Sequence, residues 1–433
     1  MKQRNLQDIT ITRTGINGEG IGTFNRKTVF VPHALVGEKV RVKITDVKKR
    51  YMRAELVKVL EPSSSRVKRP SCRIYEHCGG CAFMSMNYVD QLRVKRDMVR
   101  ETLTKYEALG DANIKPLVAP DKSQGYRHEV RYPIRFFDGR VRFGIFQRDT
   151  HYFALMSHCP LQTQAITRVL TSIEKILGQC HAHDYNDKTR KGLRFITVRD
   201  FDDAGVQVMF VTGDDGLGED VIKAISRLDD VTSLWYSVNT ARYQDFSEKG
   251  YKCVYGKKQT VVNGHRFSVG ADVPLFPAMD AKRQAILKEM IDPESTVLFL
   301  NAGNALDALS LDNALVALDA SNANIEDAKK DPRASVGPKV FVKGEGASAI
   351  KSQCRKHDFD TFVIDLERDA MDEDMIDSLR AVRPARLILI AGTASAAAKS
   401  AASLTHYGIT DVRTLDAEPY TARTQIVMAL ERL

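Results

Sequence analysis

Thr296-Val297-Leu298-Phe299-Leu300-Asn301-Ala302-Gly303-Asn304-Ala305 is an apolar run of strand length that breaks on a polar, glycine-bearing loop. Similar runs recur at residues 314–319, 339–342, 361–365, 386–390 and 425–430, with spans of helical character at 281–290 and 375–382 among them. Strands that are apolar on both faces must be covered on both faces. Their alternation with helices therefore predicts a buried, mainly parallel sheet of doubly wound type. Ligands of that architecture gather outside the carboxyl ends of the strands. The pattern starts after residue 275 and delimits a C-terminal α/β domain, 276–433.

Upstream, strand-like runs at 193–198 and 206–211 flank a polar turn containing Gly205. They predict an antiparallel layer in a central α+β domain, 63–275, the span that also holds the cysteine cluster expected as a metal site. Nearer the start, residues 9–12, 20–24, 28–31, 39–44 and 52–60 form short runs, several of them alternating, between glycine turns. Five half-buried strands at this spacing predict an all-β N-terminal barrel over 1–62, of the OB type that binds oligonucleotides. Pro62-Ser63-Ser64-Ser65 is the expected linker out of it.

The charge distribution points the same way. The chain carries 64 Lys+Arg against 55 Asp+Glu, a net of +9, yet residues 1–70 alone hold 16 against 6 and residues 281–433 hold 19 against 23. A basic barrel on a mildly acidic remainder is a polyanion-binding footprint, because phosphate contacts release condensed counterions. The apolar run 387–398 is too short for the ~20 residues of a membrane span. No apolar leader follows Met1-Lys2-Gln3-Arg4-Asn5. A cytoplasmic chain without membrane partners is expected, and in a reducing compartment its 7 cysteines are expected as thiols, metal ligands or a nucleophile.

Three of those cysteines stand together in Cys72-Arg73-Ile74-Tyr75-Glu76-His77-Cys78-Gly79-Gly80-Cys81, and Cys159 in His158-Cys159-Pro160 is the candidate fourth ligand. Four thiolates complete either a tetrahedral zinc site or an iron–sulfur cluster, and spacing leaves both open. Cys180, Cys253 and Cys354 stand alone and are expected as small buried apolar groups.

Gly18-Glu19-Gly20-Ile21-Gly22 with Val29-Phe30-Val31-Pro32-His33-Ala34-Leu35-Val36-Gly37-Glu38 resembles a TRAM domain, an RNA-binding barrel. A TRAM-like barrel followed by this cysteine motif, a distant Cys-Pro and the helix opening at Tyr88-Val89-Asp90-Gln91-Leu92 is similar to the RNA uridine-C5 methyltransferases of the bacterial 23S rRNA type. The resemblance implies a [4Fe–4S] cluster on Cys72, Cys78, Cys81 and Cys159, with zinc as the alternative, and a Rossmann-like S-adenosylmethionine methyltransferase domain. It also implies structured RNA as partner, rRNA ahead of tRNA and not DNA, bound by a monomer. Arg41, Lys43, Lys48, Lys49, Arg50 and Tyr51 are the expected RNA contacts, the cations on phosphates and the ring on bases.

Methylating uracil at C5 requires a Cys thiolate to add to C6 and a base to remove the C5 proton. The family's nucleophile position falls on Gly392, within one residue, and its base position on Gln425. Cys354 is the last cysteine of the chain, and an amide takes no proton. The donor motifs are thinned as well. Of the implied cofactor positions, Phe276, Gly303, Asp319 and Asp365 remain, which makes S-adenosylmethionine the weaker cofactor expectation. The favoured function is a catalytically silent RNA-binding relative. An active methyltransferase working on another atom comes second, and an iron–sulfur redox or sensing protein third.

Overall fold

A computed structural model describes residues 6–147, 150, 152–156, 158–241 and 249–433. The first five strands, β1 (Leu6–Thr14), β2 (Gly20–Phe24), β3 (Lys27–Val31), β4 (Lys39–Val47) and β5 (Tyr51–Glu61), close a barrel in the order β1-β2-β3-β5-β4. Alternation drives closure: Ile9, Ile11, Val29, Val31, Val40, Val42, Met52 and Ala54 point inward as one cluster. The segment after the barrel is anchored rather than loose. Arg66 donates to both oxygens of the fully buried Glu38 carboxylate, at 2.5 and 2.8 Å, and to His33 O at 2.7 Å.

The central sheet comprises β6 (Glu129–Phe137), β7 (Arg140–Phe146), β8 (Phe153–Leu155), β9 (Leu193–Asp200), β10 (Val206–Thr212), β11 (Val231–Val238) and β12 (Lys252–Gly256). Its order is β12-β11-β10-β9-β6-β7-β8. β9 and β10 are antiparallel as their linking turn predicts, while β10 and β11 run parallel across the helix Glu219–Ile225. The amphipathic helix Gln164–Gln179, capped by Thr163 Oγ1, lays Ile166, Val169, Leu170, Ile173 and Leu177 into the core of this layer. A two-stranded hairpin, β13 (Gln259–Val262) and β14 (His265–Ser268), follows.

The C-terminal strands are β15 (Val297–Leu300), β16 (Leu315–Asp319), β17 (Lys339–Lys343), β18 (Thr361–Asp365), β19 (Arg386–Ala391), β20 (Tyr407–Leu415) and β21 (Gln425–Arg432). β17-β16-β15-β18 are parallel neighbours, each run as expected, and β15 is buried at every residue. β20 had no apolar signature in the sequence; it pairs antiparallel with β21.

The chain forms two compact units. One comprises 1–123, 366–371 and 389–433, and the other 124–365 and 372–388. These do not follow the linear divisions at 62 and 275, because contacts between residues far apart in sequence, such as Ile114 with Val412, define compactness. Among the described residues, no helix is long and apolar enough to cross a membrane.

Candidate functional site

In the second unit, the carboxyl ends of β15, β16 and β18 bring three of the sequence-derived positions together. The loop after β15 takes left-handed backbone at Asn301 (φ 55°), Gly303 (φ 54°) and Ala305 (φ 61°), although only one of the three is glycine. Asp319 Oδ2 accepts from Gly303 N at 2.8 Å, and its Oδ1 accepts from Ser321 N at 2.8 Å and Asn324 Nδ2 at 3.0 Å. Asn301 Nδ2 donates to Asp365 O at 2.9 Å. A Cβ at Gly303 would meet nothing nearer than Asp272 Oδ2 at 4.0 Å, so the loop keeps open space on that side.

Two contributors lay outside the sequence reading. Asp272 accepts from Asn324 Nδ2 at 2.7 Å while its own N–H donates to Asn324 Oδ1 at 2.9 Å, tying the segment before the helix to the end of β16. Arg283 donates to Asp307 Oδ2 at 2.7 Å and to Asp280 Oδ1 at 2.7 Å. Burial raises the Asp280 carboxyl above its ordinary value against the pull of Arg283. Burial opposes the Arg283 charge, but the neighbouring carboxylates raise its affinity for the proton above the ordinary value. Arg283 and Asp280 sit three residues apart on the helix Pro277–Met290, a spacing that could have suggested their pairing; Asp307 could not be inferred from spacing. Phe276, just before that helix, is buried and stacks on Tyr126 at 4.7 Å rather than joining the β15–β18 cluster.

The first unit holds the positions that would carry the chemistry. Gly392 lies directly after β19, its N–H bonded to Glu367 O at 2.5 Å, and a Cβ placed on it would stand 2.6 Å from that same oxygen. Gln425 opens β21 opposite Leu415. The run between them is firmly held. Lys95 Nζ donates to Asp416 Oδ1 at 2.5 Å and to Glu418 O at 2.9 Å, with Lys95 and Asp416 fully buried, and Tyr88 Oη donates to Asp416 Oδ2 at 2.7 Å. Burial pulls Lys95 below its ordinary value, and Asp416 opposes that shift. Both residues fall in stretches that resemble the family's, but their pairing was not legible, because they are separated by over three hundred residues.

The same unit contains Cys72 and Cys81, both buried, and the half-buried Cys78. The one-turn helix Tyr75–Cys78 ends on Gly79 at φ 67°, a left-handed turn that glycine adopts without strain. Cys159 is buried in the other unit, and all four are free of disulfides, so the donor set suits iron or zinc in kind. His77 and His158 are exposed. Cys180, Cys253 and Cys354 are half-buried rather than fully buried; Cys180 caps one helix and Cys354 ends another, where neighbours cover only one side.

On the barrel, Lys48, Lys49 and Arg50 are exposed at the β4–β5 turn, Lys48 with Asp46 at 3.3 Å. Tyr51 packs edge-on to Phe30 at 5.7 Å. Arg41 is held by both oxygens of Asp8, at 2.8 and 2.9 Å, and Lys43 lies 3.8 Å from Glu55. Of these five cations, Arg41, Lys43 and Lys48 each face a carboxylate, which leaves Lys49 and Arg50 at the turn as the most available.

Residues 2–57 match the TRAM domain family. An uncharacterised RNA methyltransferase of Streptococcus pyogenes serotype M1 is 27% identical over 451 residues, covering 98% of this chain and 97% of that protein. Another from Bacillus cereus ATCC 10987 is 28% identical, covering 98% and 96%. The crystal structure of the Pyrococcus abyssi tRNA (uracil-54, C5)-methyltransferase in complex with S-adenosyl-L-homocysteine superposes with a TM-score of 0.76. It covers 98% of this chain and 100% of that one at 18% identity, a likeness of fold. The chain thus combines an N-terminal TRAM barrel with a Rossmann-like methyltransferase fold.

Proposed function

We propose that the chain is an RNA-binding member of the RNA uridine-C5 methyltransferase family that does not itself transfer a methyl group to uridine C5, a reading supported by its TRAM domain and its RNA methyltransferase relatives. One observation carries the reading. At the family's nucleophile position, Gly392 leaves no room for a side chain, because a Cβ there would meet Glu367 O at 2.6 Å. Without a thiolate to add at C6, C5 stays a poor nucleophile and no enolate forms. Gln425 offers an amide where a base is needed. Cys354, the last thiol in the chain, ends the helix Gly346–Cys354, and burial raises its pKa, which disfavours the thiolate.

The donor positions fit S-adenosylmethionine in part. The loop 301–305 keeps the left-handed shape that lets backbone approach a ligand, with open space at Gly303. Asp319 already accepts three hydrogen bonds from its own chain, which leaves about one of the ~four acceptor positions of a carboxylate for a ribose hydroxyl. That retained loop favours, as second reading, a methyltransferase acting at a nitrogen or oxygen nucleophile. We assign RNA binding to the barrel, with Lys48, Lys49 and Arg50 on phosphates, and rank rRNA ahead of tRNA. Cys72, Cys78, Cys81 and Cys159 are the proposed cluster ligands, iron–sulfur ahead of zinc, on the strength of the family resemblance rather than of spacing.

Incubating anaerobically purified protein with labelled S-adenosylmethionine and total cellular RNA tests the function. Retention of RNA without label in 5-methyluridine is expected. Label at uridine C5 would overturn the proposal, and label on another atom would establish the second reading. Broad visible absorbance bleached by reductant, and lost in Cys78→Ser, is expected for iron–sulfur; a colourless protein with bound zinc would replace it.

A further inference from the structure

The barrel is not the only place where this chain combines cations with exposed rings. Residues 127–148 contain six arginines, no lysine and two carboxylates, and residues 180–194 add four Lys/Arg against two Asp. β6 and β7 pair through Arg135↔Arg142 and Phe137↔Arg140, so the two stretches of arginine and phenylalanine meet at one hairpin. Phe136, Phe137 and Phe146 are 48%, 44% and 42% exposed there, and Tyr152 beside them is 60% exposed. A single exposed phenylalanine is ordinary, but this short stretch exposes four rings: along the alternating strands Phe137 and Phe146 share the face of Arg135 and Arg140, and Phe136 stands on the other face, round the hairpin's edge. The Arg135 guanidinium already lies over the Phe146 ring, 5.6 Å from its centroid.

Beside this hairpin is a cavity of ≈ 620 Å³, whose lining includes Phe136, His181, His183, Asn186, Thr189 and Lys191. Phe136 and His183 stand with ring centroids 6.1 Å apart, inclined at 41°. Asn186 fixes the next turn through its Oδ1, which accepts from Lys188 N at 2.9 Å and Thr189 N at 3.2 Å. The lining thus offers a ring face, hydrogen-bonding edges and the Lys191 cation, together with the carboxylates of Asp184, 3.9 Å from Arg135, and Asp215. The cavity volume is within the range of ~300–1,000 Å³ that holds small organic ligands.

We propose that this hairpin and cavity form a second RNA contact, which takes an unpaired nucleotide with its base against Phe136 and its flanking phosphates on Arg135 and Arg140. The cations favour RNA over a protein partner. Arginine stacks on rings and forks onto phosphate, and bases have a π-face whatever their identity. The inference deepens the RNA-binding reading and rests on it.

A 5-iodouridine-substituted single-stranded oligoribonucleotide, photocrosslinked to the full chain and mapped by mass spectrometry, tests it. Crosslinks in 136–146 or 180–193 are expected. Phe136→Ala is expected to weaken binding ~10-fold, about 1.4 kcal/mol, with the salt dependence unchanged. Arg140→Gln is expected to lower the slope of log affinity against log salt by ~0.7. Phe136→Leu keeps the apolar bulk and should weaken binding as Ala does. Both side chains, Phe136 and Arg140, are exposed, so thermal melting of the three variants should match the wild type. Full affinity in all three variants, with crosslinks confined to 6–61, would overturn the second contact while leaving barrel binding intact. A wild-type chain that binds no RNA at all would overturn both. Self-association without RNA that disappears in Phe136→Ala would assign the patch to a second copy of the chain instead.

Discussion

The barrel and the strand ends of the C-terminal sheet obey local rules to different degrees. In the barrel, alternating residues point inward and Gly18, at φ 83°, sits where a Cβ would come within 2.5 Å of Ala82 Cβ, while the non-glycine left-handed residues Asn25 (φ 48°) and Arg26 (φ 63°) lie in an exposed hairpin turn and His33 (φ 65°) is half-buried. At the strand ends the backbone keeps left-handed turns at Asn301 and Ala305 without the glycines such turns favour. A non-glycine residue in left-handed backbone carries strain that the surrounding structure must hold in place, and at Ala305 the residue held is a fully buried one.

The largest expected effect tests whether the run leading to Gln425 is held by its buried ion pair. Lys95→Met should cost ~3–5 kcal/mol by stranding the Asp416 carboxylate, and Lys95→Met with Asp416→Leu should recover most of it. Urea denaturation of both variants measures this; an unstable double variant would show that Tyr88 and Glu418 depend on the charges themselves. Next, restoring a cysteine by Gly392→Cys should destabilise by roughly 1–3 kcal/mol through overpacking against Glu367 and give no 5-methyluridine. If that variant methylates, the strand end is more yielding than the barrel.

A smaller effect addresses the strained loop directly. Ala305→Gly should stabilise the chain by about 1 kcal/mol, because glycine enters the left-handed region freely. An unchanged or lowered melting temperature would remove the contrast with the barrel. The smallest effect is with pH. Burial lowers the pKa of both His265 and His33 from the model-compound 6.5. Their folded forms bind protons less readily than the unfolded chain, so this contribution is complete above 6.5 and is lost as pH falls through the lower folded values. Melting temperature should therefore fall on acidification, less steeply in His265→Asn. His265 Nδ1 donates to Asp331 Oδ2 at 2.8 Å, a carboxylate held ionised, so the asparagine amide can keep a partner there.

Most of the architecture was legible because its signals are local. Two-residue alternation marks β1 to β5, and continuous apolar runs mark β15, β16 and β18. β20 escaped because Tyr407–Leu415 is polar at every other step or so and gains its strand character from β21. At the site, Gly303, Asp319 and Asp365 were implied by the family resemblance, and they do converge. Phe276 was found by motif but stacks elsewhere, on Tyr126.

By itself, the sequence determined the order of barrel, central layer and doubly wound sheet, the basic N-terminal end, the cysteine spacing and the absence of any cysteine after 354. Each depends on residue type or on neighbours a few positions away. Only the tertiary structure decided that Asp319 is engaged by Gly303, Ser321 and Asn324, that Arg283 holds Asp280 and Asp307, and that Gly392 has no room for a side chain. Those outcomes depend on distances between strand ends and loops that folding brings together, and a carboxylate's free lone pairs or a missing cavity cannot be counted until its neighbours are in place.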